Sequence, residues 1–532
     1  MGADNIINVV GAGLSGLSAA RSLAQMGICV RLVSAQASER AQSNLAEGGI
    51  NAVLDVMGEN DTVNEHFKDT MKGGVYLERP DMVWNLVNAA PDVVRMMDNL
   101  GVPFHRENGH IVQRNFGGQR NKRTAYAKAS TGKALTQALI DEVRKYEAKG
   151  LVERLSHHCF IKLIIAGGKC QGIEVQDLFT GKNNVLYGKV IMATGGLNGM
   201  FPGLTTGTTA NTGSAAARLF FQGVKFANLE FIQYHPTTAP ITGKRLLISE
   251  AARGEGGRLF TYNDDGSRYF FMENKYGEDG NLKPRDIVSK EMAMLGRDVY
   301  LDLTGLSEST WDKKLSDLRD EIIHFLGIEP KTEPVPVSYG IHYFMGGIMV
   351  DERHGTNIQG LYAAGECACA YHGANRLGGN SLLGAIFGGI TAANTAAEEK
   401  FFTEEASLNE KPEDSLFFMR DDERPVNDKL TQILSEGMVI IRNESIIKES
   451  LDKIRRLREA DNIASAELRS RILLGEAMLS SALLRRESRG AHVRSDYPDT
   501  LEEYKKTTTA YYDNSGVHIV FEDIHYTQAD CR

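Results

Sequence analysis

The chain lacks paired cysteines. Its six cysteines, Cys29, Cys159, Cys170, Cys367, Cys369 and Cys531, never fall in a CxxC spacing. That excludes a local zinc knuckle or iron–sulfur ligand run, so no metal site is expected. Thiols scattered through 532 residues read as reduced, which places the chain in the cytoplasm. An excess of positive charge is also lacking. With 60 Lys and Arg against 69 Asp and Glu, the net charge is −9 and there is no footprint for nucleic acid or anionic lipid. Long apolar runs are missing too. The longest uncharged stretches, 190–217 and 377–397, are rich in Gly, Asn and Thr, so no membrane span is expected. A strand-like run begins at Ile6, which leaves no room for a cleavable signal peptide. Neither end carries a lipidation box. Proline is scarce, at 13 residues.

Glycine, by contrast, is abundant at 54 residues, and suits tight turns where backbone approaches a ligand. Hydrophobic content of 42% supports a sizeable core. The length suggests three or four domains, or two large ones. Ile6 to Val10 reads as a short buried strand, Gly11-Ala12-Gly13-Leu14-Ser15-Gly16 follows at once, and 14–26 has helical periodicity. Cys29 to Ser34 then reads as a second strand. This is the order a dinucleotide site needs. Gly11 and Ala12 make the tight turn, Gly13 admits a pyrophosphate, and Gly16 lets the helix pack on the sheet. The acidic residue that usually closes the second strand is absent. Ser34 stands there and takes part of its ribose-holding role.

Further along, 35–60 reads as a long loop containing Gly48-Gly49, while 62–100 and 131–148 read as helices. Strands are expected over 152–176 and at 190–196, then a more polar insertion over 231–338. The strand-and-glycine style returns at 360–366, followed by a charged helical segment from 401 and a final stretch of strand and tail. The expected architecture is α/β: a Rossmann-like nucleotide domain over 1–230 and 339–400, interrupted by an α+β capping domain over 231–338. A helical domain over 401–500 and a tail over 501–532 complete it.

Five segments place charged or imidazole groups beside glycines. They are 231–237 with His235, 249–257 with Ser249, Glu250 and Arg253, 284–286 with Arg285, 341–347 with His342, and 372–382 with Arg376. In this order they resemble the flavoprotein subunit of the succinate dehydrogenase and fumarate reductase family, over nearly the whole chain. The resemblance implies FAD, a mobile capping domain and interconversion of fumarate and succinate. It also implies a separate iron–sulfur subunit and a place at the inner face of the membrane through partner subunits. His235 and Ser249 would bind one carboxylate of the diacid, His342 and Arg376 the other. Arg376 can offer a two-pronged fork that lysine cannot. By resemblance, Arg285 delivers the proton that accompanies hydride from the flavin, and Glu250 and Arg253 return that proton from solvent. Ser43, Asn44, Glu47, Gly48 and Gly49 would line the flavin on one side and Glu366 on another. Ser381 and Leu382 begin a helix whose dipole would favour the anionic reduced flavin.

The chain departs from the family pattern at Gln42, where many members carry the histidine that bonds FAD covalently. Non-covalent FAD is therefore expected. Its potential should be lower, which favours fumarate reduction, and Glu47 points the same way. Ser214 replaces an aspartate of many members. The alternatives are an L-aspartate oxidase, a reductase of another unsaturated acid and a non-catalytic flavin-binding assembly subunit. Against the first, Phe116 stands where the oxidases place an acid for the substrate ammonium. Against the second, both carboxylate-binding ends are intact, and against the third stands Arg285.

Overall fold

The apolar run Ile6–Val10 becomes the central strand of a five-stranded parallel sheet. The computed structural model describes residues 6–56, 58–127, 130–400, 417–459 and 463–524. Across the sheet the order is Leu361–Ala363, Lys189–Met192, Ile6–Val10, Cys29–Ser34 and Val152–Ser156, every pair parallel. Parallel strands are covered on both faces, which is why these runs are nearly continuous in apolar residues. Ile7, Val9, Leu32, Val33, Val190 and Ile191 are all fully buried. Helices Leu14–Gln25, Thr131–Ala148 and Asn380–Glu398 share one large core with the sheet, as does the antiparallel trio His158–Ala166, Lys169–Asp177 and Asn183–Tyr187. The strands expected over 152–176 divide between two sheets: Val152–Ser156 joins the parallel sheet, and His158–Ala166 and Lys169–Asp177 belong to the antiparallel trio.

The insertion is built on two long antiparallel strands, Ile232–Ile241 and Val335–Phe344. They bring the chain into a capping unit and out again. Lys244–Leu247, Val299–Asp302, Arg258–Tyr262 and Arg268–Tyr269 extend them into a six-stranded antiparallel sheet. Helix Arg285–Leu295 packs on it. This unit has its own core, which includes Leu259, Val288, Leu301, Trp311 and Ile322. The separate core marks it off from the nucleotide-binding part.

The charged segment after 417 forms helices Arg424–Gly437, Glu444–Arg458 and Ala466–Leu484. The last of these packs against helix Ser214–Phe221 beside the nucleotide cavity. The helix expected from 401 lies outside the described residues until 417. The hairpin Lys506–Asp513 and Gly516–Asp523 does not hang free. It pairs with Phe226–Ala227 and completes a sheet that includes Gly347–Met349 and Ala368–Cys369. Cys531 and the rest of the tail lie outside the described residues.

Candidate active site

One elongated cavity runs from Ser34 and Gln36 at the end of the second parallel strand to His235 and Arg376 under the capping unit. Gly11, at φ +113°, turns the chain where a side chain would collide with the Ala193 carbonyl. A Cβ at Gly16 would collide with the carbonyl of Gly11, so only glycine lets helix Leu14–Gln25 dock this closely. That helix begins at Gly13 without a side-chain cap. Its first N–H groups are therefore open to a phosphate, save that Leu14 N donates to Ser43 Oγ at 3.2 Å. Ala12 lines the same turn. Ser34 lines the cavity, but its hydroxyl donates to the Gln36 carbonyl at 2.8 Å, so it can offer a ribose only its lone pairs. Asn44 is not in the cavity wall. Its carboxamide donates to the carbonyls of Ser38 and Ala41 and braces the loop instead.

Glu47, Gly48 and Gly49 line the same cavity as Glu366 and the start of helix Asn380–Glu398. That helix also begins at an uncapped glycine, Gly379, and Ser381 and Leu382 present its first turn to the cavity. Burial raises Glu366 to about 7, although the Phe344 N–H donates to it at 3.2 Å. Burial also lifts Glu47 well above the usual carboxylate range, and its Oε2 has no hydrogen-bond partner among the described residues. Gln42 Oε1 accepts from Thr208 N at 2.6 Å, so a carboxamide fills that wall. Arg114 donates to the Gly48 carbonyl and stacks over Tyr126 at 4.3 Å. Phe116 packs against Gly48 and Gly378.

At the far end the basic residues converge. Ser249 caps the short helix Glu250–Gly254. Glu250, 3% exposed, accepts from Arg285 Nε at 2.8 Å and from Gly117 N at 3.0 Å. Burial opposes its charge, but Arg285 and Arg253 outweigh burial and hold its carboxyl below the usual range. Arg253 is buried behind Glu250, 3.8 Å from it, and does not line the cavity. His235 and His342 lie with ring centroids 5.1 Å apart. Burial first and Arg285 second push both imidazoles well below their usual range, so both are neutral hydrogen-bonding groups. Arg376 lies over the Tyr343 ring at 4.6 Å, and its Nε has no partner among the described residues. Burial, then Arg285, push it down to about 9.

Two residues that the sequence reading passed over hold this end together. Gln233 Oε1 accepts from Arg285 Nη1 at 3.2 Å. Its Nε2 donates to Asn375 Oδ1 at 2.7 Å and to the Arg376 carbonyl at 2.8 Å. The period-two spacing from His235, on one strand, is the signal that would have found Gln233. Thr206, whose hydroxyl lies 2.9 Å from His342 Nδ1, gave no such signal.

A cradle with uncapped helix starts at two points, a buried carboxyl with one unpartnered oxygen and a basic far end beneath a capping unit is the setting of a dinucleotide-binding enzyme. Comparison with known proteins narrows this class. Residues 7–382 match the family model described as an FAD binding domain, and residues 459–531 match the one described as the fumarate reductase flavoprotein C-term. The succinate dehydrogenase flavoprotein subunit of Bacillus subtilis is 37% identical, covering 95% of this chain and 93% of that protein. An L-aspartate oxidase of Pyrococcus furiosus is 34% identical, covering 94% and 97%. The solved structure of an E. coli quinol fumarate reductase variant superposes with a TM-score of 0.87 at 28% identity, covering 98% of this chain and 97% of that one. The chain belongs to the succinate dehydrogenase/fumarate reductase flavoprotein family. No helix among the described residues is long and apolar enough to cross a membrane.

Proposed function

We propose that this flavoprotein reduces fumarate to succinate, with FAD held non-covalently. The relatives carry succinate dehydrogenase, fumarate reductase and aspartate oxidase names, so substrate and direction are argued from this chain. The observation that carries the reading is the far end of the cavity. Arg285, Arg376, His235 and His342 converge there, and each histidine and Arg376 is destabilised in its charged form by burial first and by the Arg285 charge second. Such a field is relieved by a dianion. Arg376 and His342 would hold one carboxylate, and His235 with Ser249 the other.

When bound, FAD supplies the hydride. The glycine turn at Gly11 to Gly16, Glu47 to Gly49, Glu366 and the helix start at Ser381 would hold it. Arg285 would give its proton to the alkene carbon opposite the one reduced. Guanidinium is a weak acid in water, but a developing carbanion is a strong base, and fixed geometry makes the transfer feasible. Glu250 and the buried Arg253 behind it would return the proton. Gln42 has a carboxamide where an imidazole would be needed for a covalent link, and a flavin without that link is the stronger reductant.

Electrons are proposed to arrive from a separate iron–sulfur subunit, which would place the chain on the cytoplasmic face of a membrane. The working division is an FAD domain over 1–230 and 339–400, a capping domain over 231–338, a helical domain over 401–500 and a tail over 501–532. The deciding experiment is stopped-flow reoxidation. The FAD-loaded chain is reduced without oxygen and mixed with fumarate. Fast return of oxidised flavin absorbance is expected. No return, combined with reduction of the flavin by aspartate, would replace this reading with an oxidase.

A further inference from the structure

Arg285 and Asp286 open helix Arg285–Leu295 in the capping unit, whereas Asn375 and Arg376 lie in the loop between strand Ala368–Cys369 and helix Asn380–Glu398. Two carboxamides join these segments. Arg285 Nη1 donates to Gln233 Oε1 at 3.2 Å, Gln233 Nε2 donates to Asn375 Oδ1 at 2.7 Å, and Asn375 Nδ2 donates to Asp286 Oδ1 at 3.0 Å. Because Arg285 and Asp286 are chain neighbours, the three bonds close a ring. The ring is anchored outside itself at two points. Gln233 Nε2 also donates to the Arg376 carbonyl at 2.8 Å, and Asn375 Nδ2 to the Gly73 carbonyl at 3.3 Å. All four ring residues are buried or nearly so; Gln233 is 0% and Asn375 3% exposed.

We propose that Gln233 and Asn375 form a latch between the capping unit and the nucleotide-binding part, and that the latch sets the position of Arg285 relative to Arg376. Three features support this. A carboxamide can accept from a guanidinium through its oxygen and donate to a carbonyl through its nitrogen at once, and Gln233 does both. The capping unit has a core of its own, so it is held to the rest of the chain by contacts of this kind. The bonds run from the proposed proton donor to the backbone of the proposed carboxylate-binding arginine, so closure and registration are one event. Gln233 and Asn375 do not line the cavity and are therefore positioning residues. The registration part rests on the function proposed above, whereas the latch part does not.

The test uses the FAD-loaded full chain and the variants Gln233→Leu, Asn375→Leu and the double variant. Gln233→Glu is added as a milder change, since it keeps an acceptor for Arg285 and loses the donations to Asn375 and Arg376. The first readout is amide hydrogen exchange. A latch predicts at least tenfold faster exchange in the first turns of helix Arg285–Leu295 and in the stem strands Ile232–Ile241 and Val335–Phe344. Exchange in the parallel sheet should be unchanged. The double variant should be faster than either single variant, because Gln233→Leu leaves the Asn375–Asp286 bond and Asn375→Leu leaves the bond from Gln233 to the Arg376 carbonyl. Gln233→Glu should show the same local pattern. Unchanged exchange in these segments, a double variant no faster than either single variant, or acceleration throughout the chain in Gln233→Glu would each overturn the latch. The second readout is turnover. Registration predicts that kcat for fumarate falls at least tenfold in both single Leu variants while KM changes less than threefold. A loss confined to KM would overturn registration. A wild-type chain that leaves fumarate untouched would overturn the substrate and registration together, and the exchange result would still decide the latch.

Discussion

Arg285 is held by a carboxylate on one side and a carboxamide on the other, 2.8 Å from Glu250 and 3.2 Å from Gln233. Two restraints on one guanidinium fix which N–H bonds remain to face the cavity. Replacing Arg285 with Gln should keep FAD and dicarboxylate binding and lower kcat by about 10²- to 10⁴-fold, the usual contribution of a positioned acid. Single-turnover kinetics beside a binding titration would check this, and an equal loss of binding would assign Arg285 to the substrate grip alone. Glu366 makes a second prediction at this scale. Its folded pKa is raised to about 7 by burial, above the ordinary value of 4.5. A carboxyl raised in this way contributes stability that is complete below about 4.5 and is lost as pH rises through about 7. In the FAD-free chain that loss is on the order of 3 kcal/mol. Because this contribution offsets part of the acid-side loss from the buried histidines, denaturant unfolding should show a larger fall in stability from pH 8 to pH 5 for Glu366→Gln than for wild type. Gln42 makes a third. Acid precipitation should leave all the flavin in the supernatant, and a yellow pellet would contradict non-covalent binding.

At the scale of elements, two helices begin at glycines without side-chain caps and aim their first turns into one cavity. Such uncapped starts cost helix stability unless a ligand or backbone satisfies the free N–H groups. FAD binding and helix stability are therefore linked, and the linkage runs through how closely helix Leu14–Gln25 approaches the sheet. A methyl at Gly16 overlaps the Gly11 carbonyl, and neither atom can yield without moving backbone. Gly16→Ala should cost about 1–3 kcal/mol by overpacking and weaken FAD at least tenfold. Fluorescence titration with FAD and urea unfolding would measure both, and wild-type values in the two assays would remove this account of the turn.

For the whole molecule, acid sensitivity follows from buried imidazoles. His66, His235, His342, His354, His372 and His492 all have pKa values pushed down, in each case chiefly by burial. The unfolded chain takes up these protons near pH 6.5 and the folded chain refuses them. Stability is thus lost as pH falls below about 6.5, by about 1.4 kcal/mol per pH unit for each group. Buried carboxyls pull the other way as pH falls: Glu47, Glu78, Glu366 and Asp286 are all raised chiefly by burial, Glu366 to about 7 and Asp286 to about 6. Six imidazoles outweigh four carboxyls, so the thermal midpoint should peak near neutrality and fall towards pH 5. A midpoint that stays level from pH 7 to 5 would show that these histidines are charged in the folded chain.

The glycine turn and its flanking strands were legible in the sequence because each depends on local rules, whereas the residues of the far end were singled out only through the family resemblance. A strand period, a helix start and a collision at Gly16 are set within about ten residues of chain. The insertion was legible as a shift in composition, since a unit with its own core carries its own balance of polar and apolar residues. Other features needed the tertiary structure. Asn44 has the residue type of a cofactor contact, yet its carboxamide is spent on the Ser38 and Ala41 carbonyls. Arg253 belongs to the same motif as Glu250 but is turned away from the cavity, behind that carboxylate. The final hairpin has an alternating pattern that names a strand but not its neighbour, and its pairing with Phe226–Ala227 spans nearly 300 residues of chain. The ring through Gln233, Asn375 and Asp286 joins three distant segments by side-chain bonds. Hydrogen-bond partners of that kind leave no period or spacing in a linear sequence, so only the folded chain decided them.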